Sequence, residues 1–189
     1  MSVFGLYCAR IIEDRGIIMQ DTHFEIERRF LIRYPDLLWL EAAAYKTEII
    51  QTYLLSSEKG LTERVRKRGL DGEYTYTHTL KRRVSAIRRI ESEESIDEAR
   101  YLALLQRADP ARRTIEKRRY CLHENGLVFE IDLFPFWSDR ALMEVELCDE
   151  RQPFVIPDQI HCLREVTDDR RYTNASLARR IPQENIQEE

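Results

Sequence analysis

A chain of 189 residues with 34 acidic and 30 basic side chains carries a formal charge of −4, long enough for one well-cored domain and too short to divide readily into two. The near balance of signs argues against nucleic-acid binding by bulk charge, although a local basic cluster could hold phosphate. No apolar run approaches the roughly 18 residues of a spanning helix. Arg10, Glu13, Asp14 and Arg15 interrupt residues 1–18, where a signal-peptide core would be apolar. Cys8, Cys121, Cys148 and Cys162 show neither C-x-x-C pairing nor framework spacing, which reads as free thiols in a reducing compartment. The expectation is a cytoplasmic protein with no nucleic-acid and no membrane partner. Residues 1–22 read as an N-terminal extension, with Met19 an alternative start, 23–180 as a single domain and 181–189 as a disordered polar tail.

In chain order, 24–32 (FEIERRFLI) alternates as an extended strand, with Phe24, Ile26 and Phe30 on one side and Glu25, Glu27 and Arg29 on the other. Pro35 and Asp36 open a helix over 37–45. Strands follow at 49–55 and 61–69, and Asp71-Gly72 is a tight-turn pair that folds 62–68 and 73–82 into a hairpin. A fifth strand covers 87–96. Ser95-Ile96-Asp97-Glu98 reads as a capping box, starting a helix to 107 that Pro110 ends. Within it, 101–105 is apolar nearly all the way round and fits the core or a homodimer contact. Strands at 114–122 and 127–134 flank Glu124-Asn125-Gly126, a second hairpin signal. An eighth strand covers 141–148, a short extended piece 164–167, and Asn174 caps a small helix to 179.

One strand with a charged face is ordinary, because most half-exposed strands alternate this way. Here the alternation recurs in every expected strand but the second: Arg64, Arg66 and Arg68, then Thr75, Thr77, Thr79 and Lys81, then Arg89, Glu91 and Glu93. It continues with Lys117 and Arg119, with Glu130 and Asp132, and with Glu144 and Glu146. A closed barrel would turn these charges into its own lumen. Arg28, Glu63, Lys67 and Arg118 break the opposite face, which a membrane barrel would keep apolar. Clustered guanidinium and ammonium groups suit phosphate oxygens, and clustered carboxylates suit a hard divalent cation. The ligand that satisfies both is a polyphosphate carried with Mg2+ or Mn2+. His23, His78, His123 and His161 share no ligand spacing and read as structural, and Cys121 and Cys148 as packing residues.

The ordered set Glu25-x-Glu27-x-Arg29, Arg64-x-Arg66, Thr79-Leu80-Lys81, Glu91-x-Glu93, Glu116-Lys117-x-Arg119-Tyr120, Phe129-Glu130-Ile131-Asp132, Glu144-Val145-Glu146 and EVTDDRRYTN at 165–174 resembles the CYTH superfamily, the triphosphate tunnel metalloenzymes. The resemblance spans residues 24–178 and is nearest to the short bacterial members that act on inorganic triphosphate. It implies an α+β, mainly β fold: an eight-stranded antiparallel closed β-barrel with peripheral helices. It further implies a divalent-metal-dependent triphosphatase with a small triphosphate-containing substrate. By resemblance, Glu25, Glu27 and Glu146 hold metal, and Arg64, Arg66, Lys81, Lys117, Arg119 and Arg171 hold phosphate. Glu91, Glu93, Asp132 and Glu144 orient these or reach a second metal through water, with Asp132 and Glu144 as additional metal candidates. The reacting group would be Glu25, Glu27, Arg29, Glu93 and Glu146. Arg29 and Arg170 stand where the family often has Lys, and an arginine does not readily release a proton. Two alternatives share the fold, a class IV-type adenylate cyclase and a thiamine triphosphatase. A third, of another class, is a non-catalytic polyphosphate- or nucleotide-binding module, which has little need of so many carboxylates.

Overall fold

The computed structural model describes residues 26–56, 58, 60–83, 89–149, 151–184 and 186. The N-terminal extension, Met19 and Glu25 lie outside them. Nine strands are present: β1 (Ile26–Arg33), β2 (Tyr45–Leu54), β3 (Leu61–Leu70), β4 (Glu73–Arg83), β5 (Arg89–Ile96), β6 (Ile115–Glu124), β7 (Leu127–Leu133), β8 (Arg140–Leu147) and β9 (Cys162–Glu165). Three short helices accompany them, α1 (Leu37–Ala43), α2 (Glu98–Leu105) and α3 (Asn174–Leu177), with a 3-10 turn at Arg170–Tyr172.

The strands form a single antiparallel sheet in the order β5-β4-β3-β2-β6-β7-β8-β1-β9. This corrects the expected eight-stranded closed barrel: the sheet has nine strands and is open. The reason lies at β1. Its far edge is taken by β9, through the pairs Phe30–Glu165, Leu31–Arg164 and Ile32–Cys162 with a register shift. Strand β5, at the other end, pairs with β4, so among the described residues no strand joins the two edges.

Both expected hairpins form. Asp71 and Asn125 adopt left-handed backbone angles ahead of Gly72 and Gly126, the geometry a two-residue turn needs to match strand twist. Helix α1 begins at Asp36, whose carboxylate accepts from the backbone N–H of Leu38 and Trp39. It stops short of the expected 45 because Tyr45 already pairs with Cys121 of β6. Helix α2 is capped by Asp97 rather than Ser95: Ser95 is still in the ladder opposite Thr77, and Asp97 accepts from the Arg100 N–H at 2.7 Å. The α3 cap is likewise Thr173 rather than Asn174.

Three apolar clusters hold the sheet. The largest joins Phe30, Ile32, Tyr120, Phe129, Ile131, Met143 and Val145 on one face, covered by Leu40 of α1. On the same face, α2 lays Tyr101 against Leu54 and Val65. Leu102 points away and is 53% exposed, so only part of the apolar circumference of α2 is core. The third cluster lies on the opposite face: Leu31, Tyr53, Ile115 and Leu142 meet Phe134, Trp137, Tyr172 and Leu177. Because alternate residues share a face, this cluster forms the apolar end of the face that carries Arg29, Gln51, Lys117 and Glu144.

Candidate active site

Cross-strand register brings the alternating charges together. Glu27 stands opposite Glu146 and Arg29 opposite Glu144. Glu130 stands opposite Glu144 and Arg119 opposite Asp132. On the other half of the sheet, Arg64 and Arg66 stand opposite Thr79 and Thr77, and Thr79 and Lys81 opposite Glu93 and Glu91. On this face β3 and β6 carry bases, β7 and β8 acids, β1 both Glu27 and Arg29, and Lys81 of β4 stands opposite Glu91 of β5.

A network of ion pairs occupies the middle. Asp132 accepts from Arg119 Nε at 2.6 Å and from Lys117 Nζ. Glu144 accepts from Arg29 Nε at 2.7 Å and from Arg119 at 2.9 Å. Arg29 also donates to Glu27, and Arg119 to Glu130. Burial opposes the charge on Asp132, but Arg119 and Lys117 outweigh it and lower its pKa. Burial lowers the pKa of Lys117 against the pull of Asp132. For Arg29, burial is more than offset by Glu144 and Glu27, so its pKa rises and it stays a cation. Glu27 differs: burial, then repulsion from Glu144, pushes its carboxyl up to about 7.

The second group centres on Glu93, which accepts from Thr79 at 2.7 Å and from Arg66 at 3.0 Å. Burial lowers the pKa of Arg66. Arg64 donates to the Gln51 side-chain oxygen at 2.9 Å. Lys81 sits on the same face of β4. Arg171 is not brought into these groups. It lies in the 3-10 turn, 59% exposed, paired with Asp169 and with Glu184, each at 2.6 Å.

Sequence reasoning missed the contribution of β2. That strand carries no charge on the site face, so the alternation of charge passed over it. Register places Gln51 opposite Arg66 and Tyr53 opposite Arg64, and both are buried. The polar residues Thr47, Gln51 and Tyr53, spaced two apart around Ile49, were the available signal.

Over 163 residues the chain is 34% identical to an inorganic triphosphatase of Nitrosomonas europaea, a match covering 84% of this chain and 99% of that protein. The chain belongs to the inorganic triphosphatase family. A second inorganic triphosphatase, from Acetivibrio thermocellus, is 40% identical over 75 residues, 39% of this chain and 46% of its own length. A solved inorganic triphosphatase structure superposes with a TM-score of 0.59 at 32% identity, covering 86% of this chain and 99% of that one. No protein-family model matches. The assignment agrees with the resemblance carried by the ordered acids and bases.

For a triphosphatase of this family a divalent metal is expected, and the donor chemistry fits one. Hard carboxylate oxygens are what Mg2+ and Mn2+ prefer. Glu27 and Glu146 face each other across β1 and β8, and the Glu27 carboxyl is raised by burial first and by the charge of Glu144 second, both of which a bound cation would offset. Asp132 and Glu144 fit less well, since both oxygens of each already accept from Lys117, Arg119 or Arg29. Among the described residues no three His, Cys, Asp or Glu side chains gather into a metal-sized group; Glu25, the third expected ligand, lies outside them.

Proposed function

We propose that this triphosphatase cleaves inorganic triphosphate, or a small triphosphate close to it, into phosphate and pyrophosphate on the charged face of its sheet. The carrying observation is the gathering of bases and acids on one face of the sheet: Arg64 and Arg66 on β3, and the Lys117–Asp132–Arg119–Glu144–Arg29 network across β6, β7, β8 and β1. Phosphoryl transfer asks for positioned cations and little covalent chemistry. Arg64, Arg66 and Lys81 form the basic bank for the leaving pyrophosphate, with Lys117 and Arg119 at the centre.

Mg2+ or Mn2+ held by Glu27, Glu146 and Glu25 would supply charge to the phosphate oxygens. Asp132 and Glu144 serve to fix the central cations. Arg29, charged and clasped between Glu27 and Glu144, contributes position and charge rather than a proton. Glu93, the carboxylate set among the bases, accepts from Arg66 and Thr79 and holds them for the leaving pyrophosphate, while water bonds to the terminal phosphorus opposite the breaking anhydride bond and its proton passes to the phosphate oxygens.

Phosphate release from inorganic triphosphate, ATP and thiamine triphosphate, each with Mg2+ or Mn2+, tests the reading. Preference for inorganic triphosphate, lost in Glu27→Ala with the fold intact, is the expected result. Pyrophosphate and cyclic AMP from ATP would move the chain to the cyclase branch. Metal-dependent binding without turnover would leave a binding module.

A further inference from the structure

Arg171 belongs to a separate basic cluster at the β9 edge of the charged face. Arg164 of β9 stands opposite Leu31, two residues along the same face of β1 from Arg29. The chain beyond Arg164 stays beside Arg29, whose N–H donates to Thr167 at 3.0 Å and whose carbonyl accepts from the Val166 N–H at 2.7 Å. The 3-10 turn then sets Tyr172 into the apolar end of the face, 1% exposed. Over its ring lie the guanidiniums of Arg164 and Arg171, 5.2 and 5.9 Å from the centroid. Asp169 caps the turn and pairs with Arg171, so it fixes that arginine within the turn that carries it.

A second carboxylate reaches the cluster from the C-terminal tail. Glu184 accepts from Arg164 at 2.7 Å, from the Tyr172 hydroxyl at 2.8 Å and from Arg171 at 2.6 Å. Two guanidiniums and a hydroxyl converging on paired oxygens suit a phosphate as well as a carboxylate. The tail is brought there by Ile181, packed against the apolar cluster, and by Arg140, which donates to the Glu184 backbone carbonyl at 2.6 Å. The Tyr172 hydroxyl, then Arg164 and Arg171, lower the Glu184 pKa, so the group seated there is an anion.

We propose that Glu184 is an internal competitor of the substrate: its carboxylate fills an anion subsite made by Arg171, Arg164 and the Tyr172 hydroxyl, and a phosphate of the triphosphate displaces it. The proposal deepens the reading of this face as a triphosphate site and rests on Arg171 binding phosphate. Glu184 and Arg171 are 30% and 59% exposed, so water reaches the contact and its strength is that of a modest surface pair. A triphosphate, with several charges, exceeds it. While the tail is seated the subsite is closed, and the apparent KM is raised by the fraction of molecules so closed. The effect falls on KM and not on kcat, because the tail has left before the chemical step.

Glu184→Gln keeps the side-chain volume and removes the competing charge. Its KM for inorganic triphosphate is expected to fall about fivefold with kcat unchanged. Arg164→Ala/Arg171→Ala should raise KM, and Glu184→Gln added to that background should change it no further, since the tail acts through the two arginines. Arg171→Ala alone, at an exposed side chain, repeats the comparison with the packing of Tyr172 untouched. A KM that does not fall in Glu184→Gln, beside a raised KM in the arginine variants, would overturn the competition and keep Arg171 as a phosphate ligand. An equal fall in the background lacking both arginines would also overturn it, by showing a general effect of charge. If the arginine variants keep the parent KM, the assignment of Arg171 to phosphate fails, and the role of Glu184 with it.

Discussion

At the scale of single residues, Glu27 carries the clearest electrostatic signature. Its carboxyl holds a proton up to about pH 7 in the folded chain, against an ordinary 4.5. Between those values the folded state binds more protons than the unfolded one, so stability falls as pH rises from about 4.5 through 7. The carboxyls that the fold pulls below their ordinary values, Asp132 among them, act at lower pH and do not offset this slope. In metal-free buffer the thermal midpoint should therefore drop between pH 5 and pH 8. Glu27→Gln should flatten that drop, and Mg2+ at pH 8 should raise the parent's midpoint while leaving the variant's nearly unmoved. A parent midpoint independent of pH across this range would remove Glu27 as the ionising group. The side chain of Glu27 was legible in the sequence as one of two acids two apart. Its environment was not, because the nearness of Glu144 depends on which strand lies beside β1, and local alternation carries no record of partners.

Among the elements, hairpin turns and strand parity were readable, and boundaries set by pairing were not. Asp71-Gly72 and Asn125-Gly126 announced their turns because few other residues tolerate those backbone angles. The start of β2 at Tyr45 could not be seen: 37–45 reads as continuous helix, and only pairing with Cys121 of β6 pulls its last residue into the sheet. The same competition moved the α2 cap from Ser95 to Asp97. Gly69, at the end of β3, has a different role from the turn glycines. A Cβ built there would come 1.9 Å from the backbone oxygen of Glu73 and 2.7 Å from the Tyr74 ring. Because the obstruction is backbone, it cannot rotate away. Gly69→Ala should cost about 2 kcal/mol in urea unfolding, whereas the same exchange at an uncrowded strand position would gain from β propensity. A stability equal to the parent's would show that the hairpin shifts without penalty.

For the molecule as a whole, the ordered set of acids and bases foretold the family and the charged face, and it foretold an enclosure the sheet does not make. Closure is decided by what occupies the free edge of β1, and a four-residue strand far along the chain takes it. That placement of β1 also bears on time. Strands β2 to β5 lie in sequence order along one half of the sheet, and β6 to β8 along the other. Each set is a meander of near neighbours. Strands β1 and β9 belong to neither set; β1 reaches its partner β8 across 115 residues at the Arg29–Glu144 bond, a contact that loop-closure entropy makes late. Ile32→Val in β1 should accordingly speed unfolding by about fivefold and leave the refolding rate nearly unchanged, whereas Val65→Ala in β3 slows refolding. Stopped-flow chevrons would separate these, and slowed refolding in Ile32→Val would reverse the order. The strand bearing Glu27 and Arg29 is made long before β7 and β8, so the carboxylates that surround Arg29 come together only once the chain has been synthesised through Leu147.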